Sequence, residues 1–190
     1  MELAYDKTSS AAAGTSYLNA AYNGNIAGTT WKTAGAGINR KYDFTYDNLN
    51  RLTGAAFLQN TSGTSWDRGQ VDFTVTGLNY DANGNIKSMV QRGWLVGGSG
   101  DIDSMTYSYL NSNWSNRLQG VVDGANNATS QLGDFHYNPA TKVTTDYAYD
   151  GNGSMNQDNN KNIDRITYNY LNLAQLVHMN GKGNIAYTYD

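Results

Sequence analysis

Apolar and polar residues alternate with period two over short runs, and each run ends in Gly, Asn or Asp. In Lys41-Tyr42-Asp43-Phe44-Thr45-Tyr46 one face carries Tyr42, Phe44 and Tyr46. Met105, Tyr107 and Tyr109 repeat that pattern, as do Ile166, Tyr168 and Tyr170, and Tyr147 with Tyr149 does so on a shorter run. Period two with aromatics on one face predicts half-buried antiparallel strands, with Tyr42, Tyr107, Tyr147 and Tyr168 packing from hairpin to hairpin. No segment predicts a helix; Ala11 to Ala13 is too short and sits among Ser, Gly and Thr.

The runs are joined by a recurring element. Tyr-Asp or Tyr-Asn before a Gly/Asn turn occurs at Tyr5-Asp6, Tyr22-Asn23, Tyr46-Asp47, Tyr80-Asp81, Tyr149-Asp150 and Tyr189-Asp190. Tyr109-Leu110 and Tyr170-Leu171 read as degenerate copies that keep the Tyr. In the blocks from Tyr22, Tyr80 and Tyr149 the Tyr closes a strand, and Gly24, Gly84 or Gly151/Gly153 permits the positive φ of a tight turn. Ile26, Ile86 or Met155 then opens the next strand. A second kind of turn alternates with the first, in which Leu52, Leu118 and Leu176 begin the return strand. The stretches LQNTSGTSWDRGQ after Phe57 and LVGGSGDID after Trp94 read as exposed loops. Self-similar units of this kind bury their aromatic faces only by stacking on neighbours. The expectation is an all-β chain of antiparallel β-hairpin repeats forming a curved, spiralling ribbon. Its roughly 14 strands, spaced about 4.8 Å apart, would span on the order of 65 Å.

Composition narrows the class. Of 190 residues only 39% are hydrophobic and 15% charged, while Gly (21) and Tyr (15) are abundant. Disordered chains are aromatic-poor and charge-rich, so this one is read as folded. A net charge of -3 without basic runs argues against nucleic acid as a partner. The absence of Cys excludes a disulfide framework and a thiolate metal site. No apolar run reaches the length of a membrane span, and the N-terminus lacks the regions of a signal peptide. Residues 1–190 are therefore expected to be one segment of a longer polypeptide, with no direct membrane insertion.

The block YDNLNRLTGAAF from Tyr46, in which Tyr-Asp is followed by a turn and Arg51-Leu52, resembles the signature of the tyrosine–aspartate (YD, or Rhs-type) repeat family. The block from Tyr80 resembles the variant common in Bacteroidetes proteins, and Tyr149 to Asp190 is similar to the repeats that precede an Rhs-associated core domain. The resemblance covers nearly the whole chain. It implies a ribbon that spirals into a hollow shell in bacterial cell-surface or secreted proteins. In toxin complexes and polymorphic toxins such a shell encloses a C-terminal toxin; in related animal proteins it is an extracellular scaffold. Carbohydrate binding has also been attributed to such repeats. The implied partners are further repeats and a C-terminal domain of the parent protein. The self-cleaving aspartyl centre of the core domain has no counterpart in this sequence.

The residues themselves offer few sites. Asp81, Asn83 and Asn85 alternate, as do Asp150, Asn152, Ser154, Asn156 and Asp158, which is calcium-like spacing. The Gly and Glu of an EF-hand are missing, with Ile86 and Arg92 or Met155 and Lys161 in their places, so turn chemistry explains the clusters better. Glu2 is the only Glu and sits at an end expected to fray. Asp101 and Asp103 in a Gly-rich loop, and Asp43 and Asp47 beside a strand, do not form a glycosidase pair. His136 and His178 are expected on strand surfaces, too few for a zinc site. No nucleophile elbow is present, and Gly97-Gly98-Ser99-Gly100 opens no helix. No metal, cofactor or catalytic residue is assigned, and an enzyme is not expected. Trp31, Trp66, Trp94 and Trp114 lie near turns or loops and are the candidates for stacking on glycans, against the alternative that they plug the wall or cap hairpin ends. Exposed terminal strands predict self-association through sheet edges.

Overall fold

The computed structural model describes residues 1–10, 13–63, 65–127 and 134–190. Its strands are β1 (Glu2–Ala4), β2 (Ser9–Ser10), β3 (Thr15–Ser16), β4 (Gly28–Lys32), β5 (Asn39–Tyr46), β6 (Leu52–Asn60), β7 (Val75–Tyr80) and β8 (Ile86–Leu95). They continue with β9 (Gly98–Tyr109), β10 (Leu118–Asp123), β11 (Tyr147–Tyr149), β12 (Met155–Asp158), β13 (Ile163–Tyr168), β14 (Ala174–Met179) and β15 (Gly183–Ala186). β1 and β4 to β10 form an eight-stranded sheet in that order, β11 to β15 form a five-stranded sheet, and β2 pairs with β3 alone. Each strand pairs antiparallel with the next in its sheet, and neither sheet closes on itself. The protein is all-β and antiparallel, as the alternation predicts.

The two sheets meet edge to edge. The backbone N–H of Asp146 donates to the Gln119 carbonyl of β10 at 2.8 Å, and its side chain accepts the N–H of Val121 at 2.8 Å. Residue 146, immediately before β11, thus joins β10 to the five-stranded sheet, where its own carbonyl accepts the Asn159 N–H at 2.8 Å.

Register brings the aromatics together. Tyr42 lies opposite Phe57, and Trp31 stacks on Tyr42 with ring centroids 5.6 Å apart. Phe57, 1% exposed, meets Tyr42 and Phe73 edge-on at 5.4 and 5.3 Å. Such pairs stabilise by about 0.5–1.5 kcal/mol each beyond the area they bury. The opposite face of β5 carries the buried Lys41 and Asp43. The β2–β3 hairpin lies over it: Lys41 donates to the Ser16 carbonyl at 2.6 Å, and Asp43 accepts the N–H of Leu18 at 3.2 Å. Tyr17, Ala4 and Ala27 form a small apolar cluster beside them. Burial of polar groups is tolerable here because each is paired.

Several sequence expectations need correction. LVGGSGDID is no loop: Leu95 ends β8 and Gly98 begins β9, so only Val96 and Gly97 turn. Asp101 and Asp103 therefore sit in a strand. The stretch after Phe57 is strand as far as Asn60; Gln59 is fully buried and bridges to Asp67, and Arg68 donates to the Phe57 carbonyl at 2.9 Å. Glu2 belongs to β1 and is held by Ser10 and Lys7 at 2.8 and 2.5 Å, so it is not frayed. Among the described residues the strands number fifteen. Leu110–Asn113 makes a single helix-like turn in which Asn111 and Ser112 are left-handed, and Asn159–Lys161 is a short 3-10 turn. Ala11 and Ala12 lie outside the described residues, so the absence of helix there has no structural counterpart.

Candidate functional site

The element that recurs in space is the turn. Asp47 Oδ1 accepts the backbone N–H groups of Leu49 and Arg51, both at 2.9 Å. Asp81 does the same for Asn83 and Asn85, Asp150 for Asn152 and Ser154, and Asn169 for Leu171 and Leu173, all between 2.8 and 3.0 Å. In each turn the first residue also donates to the carbonyl four places on and accepts from the N–H three places on. The donor three places on has positive φ: Asn50 at 62°, Gly84 at 87°, Gly153 at 88° and Asn172 at 57°. Only Gly and Asn adopt that region at little cost. Apart from the wider connection after Tyr109, where the Leu110 N–H reaches the Arg117 carbonyl at 2.9 Å, the two kinds of turn expected from sequence are thus one turn with two choices for its left-handed residue.

This geometry re-registers two copies. The copy read at Tyr170-Leu171 is Tyr168-Asn169, and Tyr170 is left 92% exposed. Tyr22-Asn23 also falls out of register: Ala20 and Ala21 align with Tyr80 and Asp81, and Tyr22 is 85% exposed. Here β1 pairs with β4 and ends at Ala4, just before Tyr5, and the β2–β3 hairpin is an insertion between them.

The tyrosine before each turn has its own task. Tyr46 donates its hydroxyl to the Ile26 carbonyl at 2.9 Å, Tyr80 to Leu52 at 2.7 Å and Tyr109 to Ile86 at 2.7 Å. Tyr149 reaches Leu118 at 2.9 Å, Tyr168 reaches Met155 at 2.6 Å and Tyr189 reaches Ala174 at 2.5 Å. Every acceptor is the residue that opens the chain after the preceding turn. The six latches line one side of the molecule, and the Tyr149 latch crosses from the five-stranded sheet to the eight-stranded one. Side chains bridge the turns as well. Arg51 lies 4.6 Å over the Tyr80 ring and donates to the Asp81 carbonyl at 3.2 Å; Arg117 lies 5.8 Å from the Tyr149 ring; Asn85 donates to Asn116 at 3.0 Å. The hydroxyl was not foreseen from sequence. A signal was present: four Phe occur in the chain, yet all six latch positions are Tyr.

Electrostatics follow from these bonds. The Arg51 backbone N–H, with the Arg51 guanidinium and the Leu49 N–H, holds the Asp47 carboxyl below its ordinary value. Partial burial pushes Asp81 up, but hydrogen bonds from Asn85 and Asn83 outweigh it and leave it lowered. In each turn the Oδ1 of Asp47, Asp81 or Asp150 takes two backbone N–H groups, so turn chemistry accounts for the alternating Asp and Asn residues. Among the described residues no group of three or more acids or histidines could hold a metal.

The four tryptophans are dispersed. Trp31 is in β4 rather than a turn, packed against Tyr42 and Phe57. Trp66 sits beside Lys41, whose ammonium is 5.7 Å from its ring. Trp94 is near the end of β8 and 43% exposed, while Trp114 is 86% exposed at the wide turn between β9 and β10. Trp31, Trp66 and Trp94 lie toward the strand ends remote from the latched turns, and Trp114 lies among those turns. Among the described residues no ring pair joins two of them. Trp114 shares a shallow cleft with Asp81, Asn83 and Asn113.

His178 on β14 pairs with Asp164, which lowers the Asp164 carboxyl. His136 is not in a strand; its Nε2 lies 2.8 Å from Asp134. Asp103 is buried and accepts the N–H of Phe135 at 2.8 Å; burial, with the charges of Asp123 and Asp134, raises its carboxyl. Asp146, fully buried, pairs with Lys142. Among the described residues no helix is long and apolar enough to cross a membrane. No family model and no curated protein matches the chain.

Proposed function

We propose that the chain is an architectural segment: one arc of a spiralling YD/Rhs-type β-ribbon in the wall of a shell or scaffold, within a larger cell-surface or secreted protein. The tyrosine latch carries this reading. It recurs from Tyr46 to Tyr189 with one donor position and one acceptor position, and it passes without interruption across the junction of the two sheets. A unit that joins each hairpin to the one before it extends a wall; it does not gather groups around a substrate. The dispersed, hydrogen-bonded acids favour the same reading over an enzyme. Further repeats and a protected C-terminal domain are the partners proposed. Limited proteolysis of the full-length polypeptide tests this. A shell predicts that a flanking domain resists digestion until the repeats unfold. Immediate loss of everything outside the repeats would overturn encapsulation and leave an open scaffold.

One observation favours a second role on the same frame. The Trp114 ring is almost wholly exposed beside the amides of Asn83 and Asn113, an arrangement suited to stacking on a sugar ring. A glycan surface predicts saturable quenching of tryptophan fluorescence that is lost in Trp114→Ala. Quenching that survives in that variant, or none at all, removes Trp114 from consideration.

A further inference from the structure

We propose that Asn23 and Asn180 are sites of spontaneous backbone modification, and that the latched turns shield the equivalent Asn-Gly steps at Asn83 and Asn152. The chain has four Asn-Gly steps, at residues 23, 83, 152 and 180, and all four asparagines are exposed. In such a step the backbone nitrogen of Gly attacks the Asn side-chain carbonyl carbon. A bond forms between that nitrogen and Cγ, the bond from Cγ to Nδ2 breaks, and the nitrogen's proton leaves with Nδ2 as ammonia. Water then opens the cyclic imide on either side, giving Asp or isoaspartate.

Whether the nitrogen is free separates the four. Gly84 donates its N–H to the Asp81 carbonyl and Gly153 to the Asp150 carbonyl, both at 3.1 Å. The neighbouring N–H groups of Asn83 and Asn85, and of Asn152 and Ser154, are held by the same carboxylates. Rotating that peptide into attack means breaking the turn. Among the described residues Gly24 and Gly181 make no such bond, because Ala21 stands where Asp81 would and the 179–182 turn closes through Lys182 alone. At Asn23 the N–H of Asn25 donates to Oδ1 at 3.1 Å, which favours attack by stabilising the oxygen as it gains charge. The Nδ2 bond to Asn50 is 2.6 Å but exposed, and opposes this only weakly.

The sequence supplies its own control. Asn23-Gly24-Asn25-Ile26 and Asn83-Gly84-Asn85-Ile86 are the same tetrapeptide, so any difference in rate belongs to the fold. Holding the folded chain at mildly alkaline pH and measuring peptide masses after digestion should show the Asn-to-Asp mass increase at Asn23 and Asn180. Asn83 and Asn152 should react about tenfold more slowly, the factor set by about 1.4 kcal/mol of turn hydrogen bonding. In denaturant, residues 23 and 83 should converge. Asp81→Ala should bring Asn83 up toward the rate of Asn23. Equal rates at 23 and 83 in the folded wild-type chain would overturn the proposal. So would an unchanged Asn83 in a folded Asp81→Ala chain.

Discussion

At one end of the strands, Asp47, Asp81, Asp150 and Asn169 each hold two backbone N–H groups of a five-residue turn, and the tyrosine before each turn is latched to the hairpin behind it. At the other end the connections differ widely in length. They run from Val96-Gly97 between β8 and β9 to the long stretch 124–146 between β10 and β11. The first end is built from local bonds that are mostly wet. The second is built from buried charge, with Asp103, Asp123 and Asp146 all nearly inaccessible. Local turns fix where each strand begins, so insertions at the far end leave the latches in register. Stability per residue should therefore concentrate where the sequence looks least regular.

The largest break in that comparison is expected at Asp146. Asp146→Ala leaves the half-buried Lys142 with Asn160 but without its carboxylate, and the buried Val121 N–H without its acceptor, at a cost of about 3 kcal/mol in a denaturant midpoint. A loss below about 0.5 kcal/mol, the range of surface changes, would show that the junction contributes little. The latches come next. Tyr109→Phe keeps the ring and removes only the hydroxyl bond to Ile86, so about 1 kcal/mol should be lost. Tyr170→Phe, at a 92% exposed ring outside the latch series, should leave the midpoint unchanged. Equal effects of the two would remove the hydroxyl from the account of how hairpins are joined. The left-handed turn position is expected to be similar in size. Gly84→Ala forces Ala to φ 87° and should cost about 1 kcal/mol, whereas Gly151, without positive φ and with open space around it, should accept Ala at no cost.

How much of this was legible follows the same division. Alternation in Tyr42-Phe44-Tyr46 and Met105-Tyr107-Tyr109 announced antiparallel strands because side-chain direction is a local property. Asp47 and Asp81 announced turns for the same reason. The register of Tyr168-Asn169 was misread because Tyr170 follows it, and only the bonds to Leu171 and Leu173 reveal which residue begins the turn. Gly97-Gly98-Ser99-Gly100 looked like loop because Gly is rare in strands; Ile102 and Leu95 pack where Cβ atoms on Gly93 and Gly100 would stand, and that depends on the partner strand. The dispersal of Trp31, Trp66, Trp94 and Trp114 could not be read before the pairing was known. Nor could the burial of Asp103 and Asp146, since it comes from partners distant in sequence, Phe135 and Val121.

The smallest effect expected sharpens the comparison by sign. Asp47 has its carboxyl lowered by the Arg51 and Leu49 N–H groups, so its charged form is favoured in the folded chain. Its contribution is fully present above the ordinary carboxylate value of 3.8 and is lost as pH falls through the lower folded value. Asp103 is raised by burial and by Asp123 and Asp134, so folding opposes its ionisation. That cost is present in full above the raised folded value and is relieved as pH falls toward the ordinary one. The two ends of the strands should therefore respond to acid in opposite directions. Denaturant midpoints measured across that window should fall less steeply on acidification in Asp47→Asn than in the parent chain. In Asp103→Asn, which keeps an oxygen for the Phe135 N–H, they should fall more steeply, because the relief is gone. Carboxyl titrations followed by NMR would assign each change to its residue. If both substitutions tilted the profile the same way, the contrast between hydrogen-bonded turn carboxylates and buried ones would not be what separates the two ends.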